Sequence, residues 1–400
     1  MAAQKSILQS RYYVLPRIYM TLVGVWPYHA IGNKCLLFVT TFTFSFSIIV
    51  PQMLYLLNDS IDIDDVFECV PSIIITIVVS FQLVNMMINN EKIKTCFKTI
   101  EEDWLLLNTE IEKAILQRHA KYGRYLTTIY TIFIFFPALF HFLKPVIMTV
   151  VENDIENVTK SSLSRTSKLP FHVEYGEKLD QHFYLLMLHC SLAVFAHFIV
   201  IVAIDSFYYA VIQHACGMFS IIGYMLENIG KNDDANFHLE IKKIEDDNYG
   251  IALDCLRRHL HVSEFIELIE SIFTNMFLFN LYTTMLSTTI SGIQVIMNLN
   301  NVGNIATPLS VYFAHLIHLF LQFWQGQFIL DYSDVPYKSI CRGRWYYTSR
   351  RCRKILLLIM SRTVSPCKIT AGNLVTLSIE NFGTVLKTSM SYFTVLRSFQ

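Results

Sequence analysis

The chain has 400 residues, of which 16 % are charged, 53 % hydrophobic and 14 % aromatic, and its formal net charge is zero. A soluble chain carries about a quarter charged residues and nucleic-acid binding needs a concentrated basic surface, so the composition argues against a soluble globular protein and against a nucleic-acid partner. The apolar residues come in long blocks, which predicts that a bilayer solvates most of the chain.

The N-terminal stretch MAAQKSILQSRYYVLPRIYM lacks the short apolar run and small-residue cleavage site of a signal peptide, so the first spanning helix is expected to act as its own insertion signal. Crossing the hydrocarbon core takes about 20 apolar residues in a helix. Six stretches meet that length: 36–57, 71–88, 126–151, 183–212, 272–297 and 305–330. A seventh, 374–397, is richer in Ser and Thr. Polar residues at membrane depth cost free energy unless they face protein or water, so this last helix is expected to have a wet side. The expected fold is all-α, a single membrane domain over 1–400 with seven transmembrane helices.

Lys and Arg collect in cytoplasmic loops. Lys5, Arg11, Arg17 and Lys34 precede the first span, seven basic residues lie between Lys92 and Arg124, and five lie between Lys231 and Arg258. The segment before the last span is denser, from Lys338 through Arg350, Arg351, Arg353 and Lys354 to Lys368. Residues 58–70 and 298–304 contain no Lys or Arg, and in residues 152–182 six acidic residues offset four basic ones. This sorting predicts a cytoplasmic N-terminus and an extracellular C-terminus. The two N-glycosylation sequons, at Asn58 and Asn157, fall in segments expected outside, which agrees.

Two cytoplasmic regions, 213–271 and 331–370, look structured. In IALDCLRRHLHVSEFIELIESIF, Leu256, Leu260, Phe265, Ile266, Ile269 and Phe273 recur at helical spacing, so the fifth helix is expected to begin well below the membrane. In KSICRGRWYYTSRRCRKILLLIM, Ile340, Trp345, Tyr346 and Leu356 to Ile359 suggest a further helix with a basic wet side. The two regions can pack into a cytoplasmic platform, or the second can lie as an amphipathic helix on anionic lipid. Nine cysteines form no CxxC pair and no metal-ligand spacing, and read as buried or cytoplasmic thiols. His141, His182, His189, His315 and His318 lie in or near spans with no carboxylate at helical spacing, so no catalytic, metal or cofactor site is expected.

In LSIENFGTVLKTSMSYFTVLRSFQ, Thr384, Thr388, Ser391, Val395 and Phe399 follow steps of four, three, four and four and share one helical face. Phe382, Leu386, Met390 and Phe393 flank it and suit packing. Spacing leaves two readings open. The hydroxyl face can line a wet vestibule closed by Val and Phe, or small residues can let two helices approach closely.

Residues 355–399, above all the TAG before the helix and SYFTVLR at its end, resemble the C-terminal signature of insect odorant receptors. VGVWP at Val23–Pro27 and LRRHLHVSEFIELIE around His259 extend the likeness over essentially the whole chain. The resemblance implies a ligand-gated nonselective cation channel, a tetramer in which a tuning subunit joins the conserved odorant receptor co-receptor (Orco), in the plasma membrane of an olfactory sensory neuron dendrite. It implies that the seventh helices line the pore, with Val395 and Phe399 at the gate. Lys387 departs from a neutral pore lining. The co-receptor's longer second-half cytoplasmic loop is absent between residues 213 and 270, which points to the tuning subunit. By the same likeness a volatile odorant occupies an apolar pocket in the outer half of the bundle, for which Ile73, Ile77, Phe136, Phe140, Tyr184, Met187 and Tyr312 are candidates. A gustatory-receptor-like channel shares the architecture. A G-protein-coupled receptor needs the opposite orientation and lacks its motifs here, and a secondary transporter lacks its related halves.

Overall fold

The computed structural model describes residues 7–57, 63–155, 173–175, 182–230, 241–297 and 302–397. Each of the seven expected spans falls on a helix. After α1 (Val14–Leu22), the first span is α2 (Ile31–Ser47) continued at Ile48 into α3 (Ile49–Leu56). The second is α4 (Ile63–Ile88), followed by α5 (Asn90–Leu105). Then come α6 (Glu110–Ile155), α7 (Phe183–Asn228), α8 (Ile241–Met297) and α9 (Val302–Ser333). Two shorter helices, α10 (Val335–Arg342) and α11 (Arg350–Thr363), precede an antiparallel hairpin of β1 (Thr370–Ala371) and β2 (Val375–Thr376). The chain reaches α12 (Ile379–Arg397) directly after it.

The long helices outrun the bilayer. At 1.5 Å per residue, the 46 residues of α7 and the 57 of α8 extend about 70 Å and about 85 Å, against a hydrocarbon core of about 30 Å. The fifth helix therefore does start well before its membrane segment, and Phe265, Ile266, Ile269 and Phe273 are buried in the main core. α10 packs on the C-terminal half of α7, where Gly223 leaves room for Val335 and Ser339. α11 packs on α8 through buried Cys352, Leu356 and Ile359. The single helix expected across this region is instead two helices joined by a short turn, Trp345–Tyr347, and Trp345 and Tyr346 are exposed rather than packed. Gly343, pressed against the carbonyl oxygens of Leu226 and Glu227, ends α10 there.

Local chemistry sets the helix starts. Thr109 and Glu112 form a reciprocal cap on α6: the Thr109 hydroxyl accepts from Glu112 N at 3.2 Å, and the Glu112 carboxylate accepts from Thr109 N at 3.3 Å. Ser349 caps α11 through Cys352 N, and Ser378 caps α12 through Asn381 N.

By length and apolar composition alone, three described stretches suffice to cross a membrane: Ile31–Leu56, Asp65–Ile88 and Phe183–Asn228. α8 and α9 fall short because they carry polar side chains at membrane depth, among them Asn280, Thr284, Ser287, Thr288, Gln322 and Gln325. All of these are buried against other helices rather than turned to lipid. All nine cysteines are free thiols, exposed only at Cys35 and Cys341.

Candidate functional site

The expected seventh span begins late. Residues 374–378 belong to the hairpin and its exit, not to the helix, because Gly372 (φ +63°) and Asn373 (φ +58°) turn the chain back so that Val375–Thr376 pair with Thr370–Ala371. This hairpin holds the TAG sequence and fixes the base of α12. The Glu270 carboxylate on α8 accepts from Thr370 N at 2.8 Å and from the Thr370 hydroxyl. Gly372 N donates to the Thr274 carbonyl at 2.9 Å, and Ala371 is fully buried. A Cβ on Gly372 would meet the Leu278 side chain at 2.4 Å, so position and backbone both call for glycine.

The exit of the hairpin is seated on α9. Leu377 lies so close to Gly326 that a Cβ there would stand 2.4 Å from both the Leu377 Cβ and its carbonyl oxygen. Gln327 adds a bond, accepting from Ile379 N at 3.2 Å, and donates to Asp331. The first turns of α12 then face inward through Phe382, whose ring packs on Phe320 and Phe323 at 5.3 and 6.0 Å, and through buried Val385. Further out, the Tyr312 hydroxyl contacts the Met390 sulfur at 3.9 Å. α12 is thus held along one side by α8 and α9.

Its other side carries the hydroxyls. Thr384 and Ser391 are exposed and Thr388 half-buried, and each hydroxyl donates to the carbonyl four residues earlier: Glu380, Thr384 and Lys387. Lys387 is exposed beside them. Hydroxyls whose protons are used on their own helix still offer oxygen lone pairs to a wet surface. The side chain of Val395 and all of Phe399 lie outside the described residues, as do the sequons at Asn58 and Asn157.

The structure distributes the candidate pocket residues. Ile73 on α4 is 6 % exposed, whereas Ile77 one turn later is 42 % exposed, so the pair does not share an inward face. Phe136 and Tyr184 are 75 % and 78 % exposed on the outside of the isolated subunit. Met187 packs beside an outer cluster of Ile48, Val173, Cys190 and Ala193. Tyr312 is half-buried against α12, and the side chain of Phe140 lies outside the described residues. In that outer cluster His189 bridges the hydroxyls of Ser47 and Tyr175, each at 2.8 Å, and so ties residues 173–175 to α2 and α7.

The other two sequence motifs have structural roles. In VGVWP, Gly24 (φ +74°) turns where a Cβ would meet the Phe38 nitrogen, which seats Val23, Val25 and Trp26 in the core; Trp26 lies against Phe97 at 4.8 Å. In LRRHLHVSEFIELIE, His261 shares Asp103 with His214: the carboxylate oxygens sit 3.0 and 2.8 Å from their Nε2 atoms, tying α5 to α7 and α8. Burial works against the charged carboxylate. The two histidine hydrogen bonds outweigh it and hold Asp103 down at about 2. The Asp103 bond in turn raises His261 above its ordinary value, with burial opposing.

What the sequence left unmarked lies deeper. Tyr130, Asp205, Asn280, His318 and Gln322 meet from four helices, so His318, which has no carboxylate at helical spacing on its own helix, has one across the bundle. Asp205 stands alone among apolar residues in α7, and only that isolation at membrane depth could have signalled it.

Comparison with known proteins places these features. The profile of the family described as 7tm Odorant receptor matches residues 62–390. Among individual proteins, the chain is 26 % identical over 145 residues to odorant receptor Or2 of Anopheles gambiae, covering 36 % of this chain and 38 % of that one. It is 28 % identical over 172 residues to odorant receptor 10 of Aedes albopictus, covering 43 % and 42 %. It is 21 % identical over 201 residues to odorant receptor 13a of Drosophila melanogaster, covering 47 % and 46 %. These alignments span less than half the length of each relative. In fold, the chain is similar to the olfactory receptor OR5 of Machilis hrabei solved in complex with eugenol, with a TM-score of 0.75 at 13 % identity over 98 % of this chain and 100 % of that one.

Proposed function

The chain belongs to the 7tm odorant receptor family, and from that premise we propose that it is the ligand-tuning subunit of an odorant-gated, nonselective cation channel. In this reading it assembles with the odorant receptor co-receptor (Orco) as a heterotetramer in the dendritic plasma membrane of an olfactory sensory neuron. Its N-terminus is cytoplasmic and its C-terminus extracellular.

One observation carries the reading. α12 is packed along one side by Phe382 and Val385 and leaves Thr384, Lys387 and Ser391 exposed on the other, although it lies within a membrane protein. A hydroxylated face is costly against lipid and favourable against water. Four such helices around an axis give a wet path, with Val395 and Phe399 as its constriction. Lys387 then faces the vestibule or a neighbouring subunit.

A volatile ligand is bound mainly by dispersion and desolvation. Ile73, Met187 and Tyr312 are the candidate residues turned into the subunit, and Ile77, Phe136 and Tyr184 serve only where another element covers them. The Tyr312 contact with Met390 links that outer region to the pore helix. The regions 213–271 and 331–370 act as the cytoplasmic anchor.

Co-expression with the co-receptor tests the proposal. Volatile-evoked cation current is expected from the pair and little from this chain alone. Val395→Ala or Phe399→Ala should change permeation or gating for all volatiles, while Tyr312→Ala should change their order of potency. Current that required added G protein, or that flowed undiminished without the co-receptor, would overturn it.

A further inference from the structure

A buried polar seam runs along α9 inside the subunit. His315, His318, Gln322 and Gln325 follow steps of three, four and three, which puts them on one face. Each is bonded to a different helix or pair of helices. His315 Nε2 lies 3.3 Å from the Ser287 hydroxyl on α8, and the Gln325 side-chain oxygen accepts from Gln213 on α7 at 3.1 Å. Between them sits the densest part. The Tyr130 hydroxyl on α6 donates to Asp205 Oδ2 on α7 at 2.5 Å. Gln322 donates to Asp205 Oδ1 at 3.4 Å and to His318 Nε2 at 3.1 Å, and accepts from Asn280 at 2.8 Å. With Nε2 accepting, His318 Nδ1–H is left to donate to the Tyr130 oxygen at 2.7 Å.

Around Asp205 the donors and acceptors match as a set. Asp205, Tyr130, Asn280 and Gln322 are all buried, and an axial shift of α9 would break the bonds from Gln322 to Asp205 and Asn280 and from His318 to Tyr130, leaving only the Tyr130–Asp205 bond between α6 and α7. A carboxylate at membrane depth is tolerated only while such partners stay in place. Buried polar groups of this kind fix register more than they add stability. α9 also touches α12, through Phe320 and Phe323 on Phe382, through Gln327 on Ile379 and through Tyr312 on Met390.

We infer that Asp205, with Tyr130, His318, Gln322 and Asn280, is a gating determinant: a polar latch that holds α9 in its resting register and so sets the free energy a ligand must supply to move α12. The inference rests on the channel reading above. In a ligand-gated protein the resting arrangement is the one its own groups stabilise unaided, and this network is complete with protein groups only. These residues are positioning residues, neither ligand-contacting nor pore-lining.

The test uses Asp205→Asn, Tyr130→Phe and the double variant, each co-expressed with the co-receptor and scaled to surface density. Tyr130→Phe removes a single oxygen and serves where Asp205→Asn does not reach the surface. Ligand-independent current should rise, and the half-maximal concentration should fall about two- to tenfold, by one common factor for every active volatile. The double variant should shift it no further than the larger single one. Unchanged potency at equal surface density, additive shifts, or shifts that differ between volatiles would overturn the latch. A wild-type pair silent to all volatiles would instead defeat the channel reading. The latch is then decided by hydrogen exchange on the purified full chain: faster exchange in α9 and the β1–β2 hairpin of Asp205→Asn, with α11 unchanged, supports it, and identical rates refute it.

Discussion

Gly326→Ala tests whether the base of α12 is clamped on α9. The added Cβ would lie 2.4 Å from the Cβ and 2.4 Å from the carbonyl oxygen of Leu377. Ordinary contacts begin near 3.4 Å, so the hairpin exit and α9 must part by about 1 Å. No rotamer change relieves this, because one of the two atoms is backbone and Leu377 itself is buried. Separation also strains the Gln327–Ile379 hydrogen bond. Overpacking of this kind costs about 1–3 kcal/mol, with about 0.5–1.5 kcal/mol more if that bond is lost. Part is returned, because Ala favours the helix over Gly by about 1 kcal/mol. With that bond lost, the net expectation is about 0.5–3.5 kcal/mol of destabilisation, read as a lowered midpoint of thermal unfolding of the detergent-solubilised protein and as an altered volatile-evoked current on co-expression with the co-receptor. Gly383→Ala is the control, since a Cβ there meets nothing within 4 Å and the helix gains propensity. If Gly326→Ala matched Gly383→Ala in both stability and current, α9 would not be the seat of α12.

Further expectations concern the same frame. Phe382→Ala removes the ring packed edge-on and tilted against Phe320 and Phe323 and should destabilise by about 3 kcal/mol, lowering the thermal midpoint without changing the order of odorant potency. The clasp around Asp103 should make stability pH-dependent. His261 is raised, so its contribution is complete below the ordinary histidine value of 6.5 and is lost as pH rises through its raised value. Asp103 is depressed, so its contribution holds above 3.8 and fades only as pH falls toward about 2. Thermal midpoints measured from pH 6 to 9 should therefore fall more steeply for wild type than for His261→Gln; parallel curves would remove His261 from the clasp.

How legible this protein was differs from element to element. The α2–α3 span, α4 and α7 were plain in the sequence because burying some 20 successive residues in hydrocarbon demands a composition that no other solvent does. The extension of α8 well beyond its membrane segment was equally readable from the spacing of Leu256, Phe265, Ile269 and Phe273, since one apolar stripe must cover one neighbour. The hydroxyl face of α12 was readable as a face. Its start was not, because Val375–Thr376 pair with Thr370–Ala371 as a hairpin while the apolar pattern runs on through them unbroken. Pocket residues were the least legible: Ile73 and Ile77 are chemically alike, and only the packing of the other helices turns one inward and the other out.

Sequence by itself determined the solvent, the number of spans and the family, because each is written in the order of residues along one helix at a time. Tertiary structure alone decided that Asp205 meets Tyr130 and Gln322 from 75 and 117 residues away, and that Glu270 grips the TAG hairpin across 100 residues. Such partners carry no mutual signal in the chain, since hydrogen bonds between helices depend on register and rotation that only the assembled core sets.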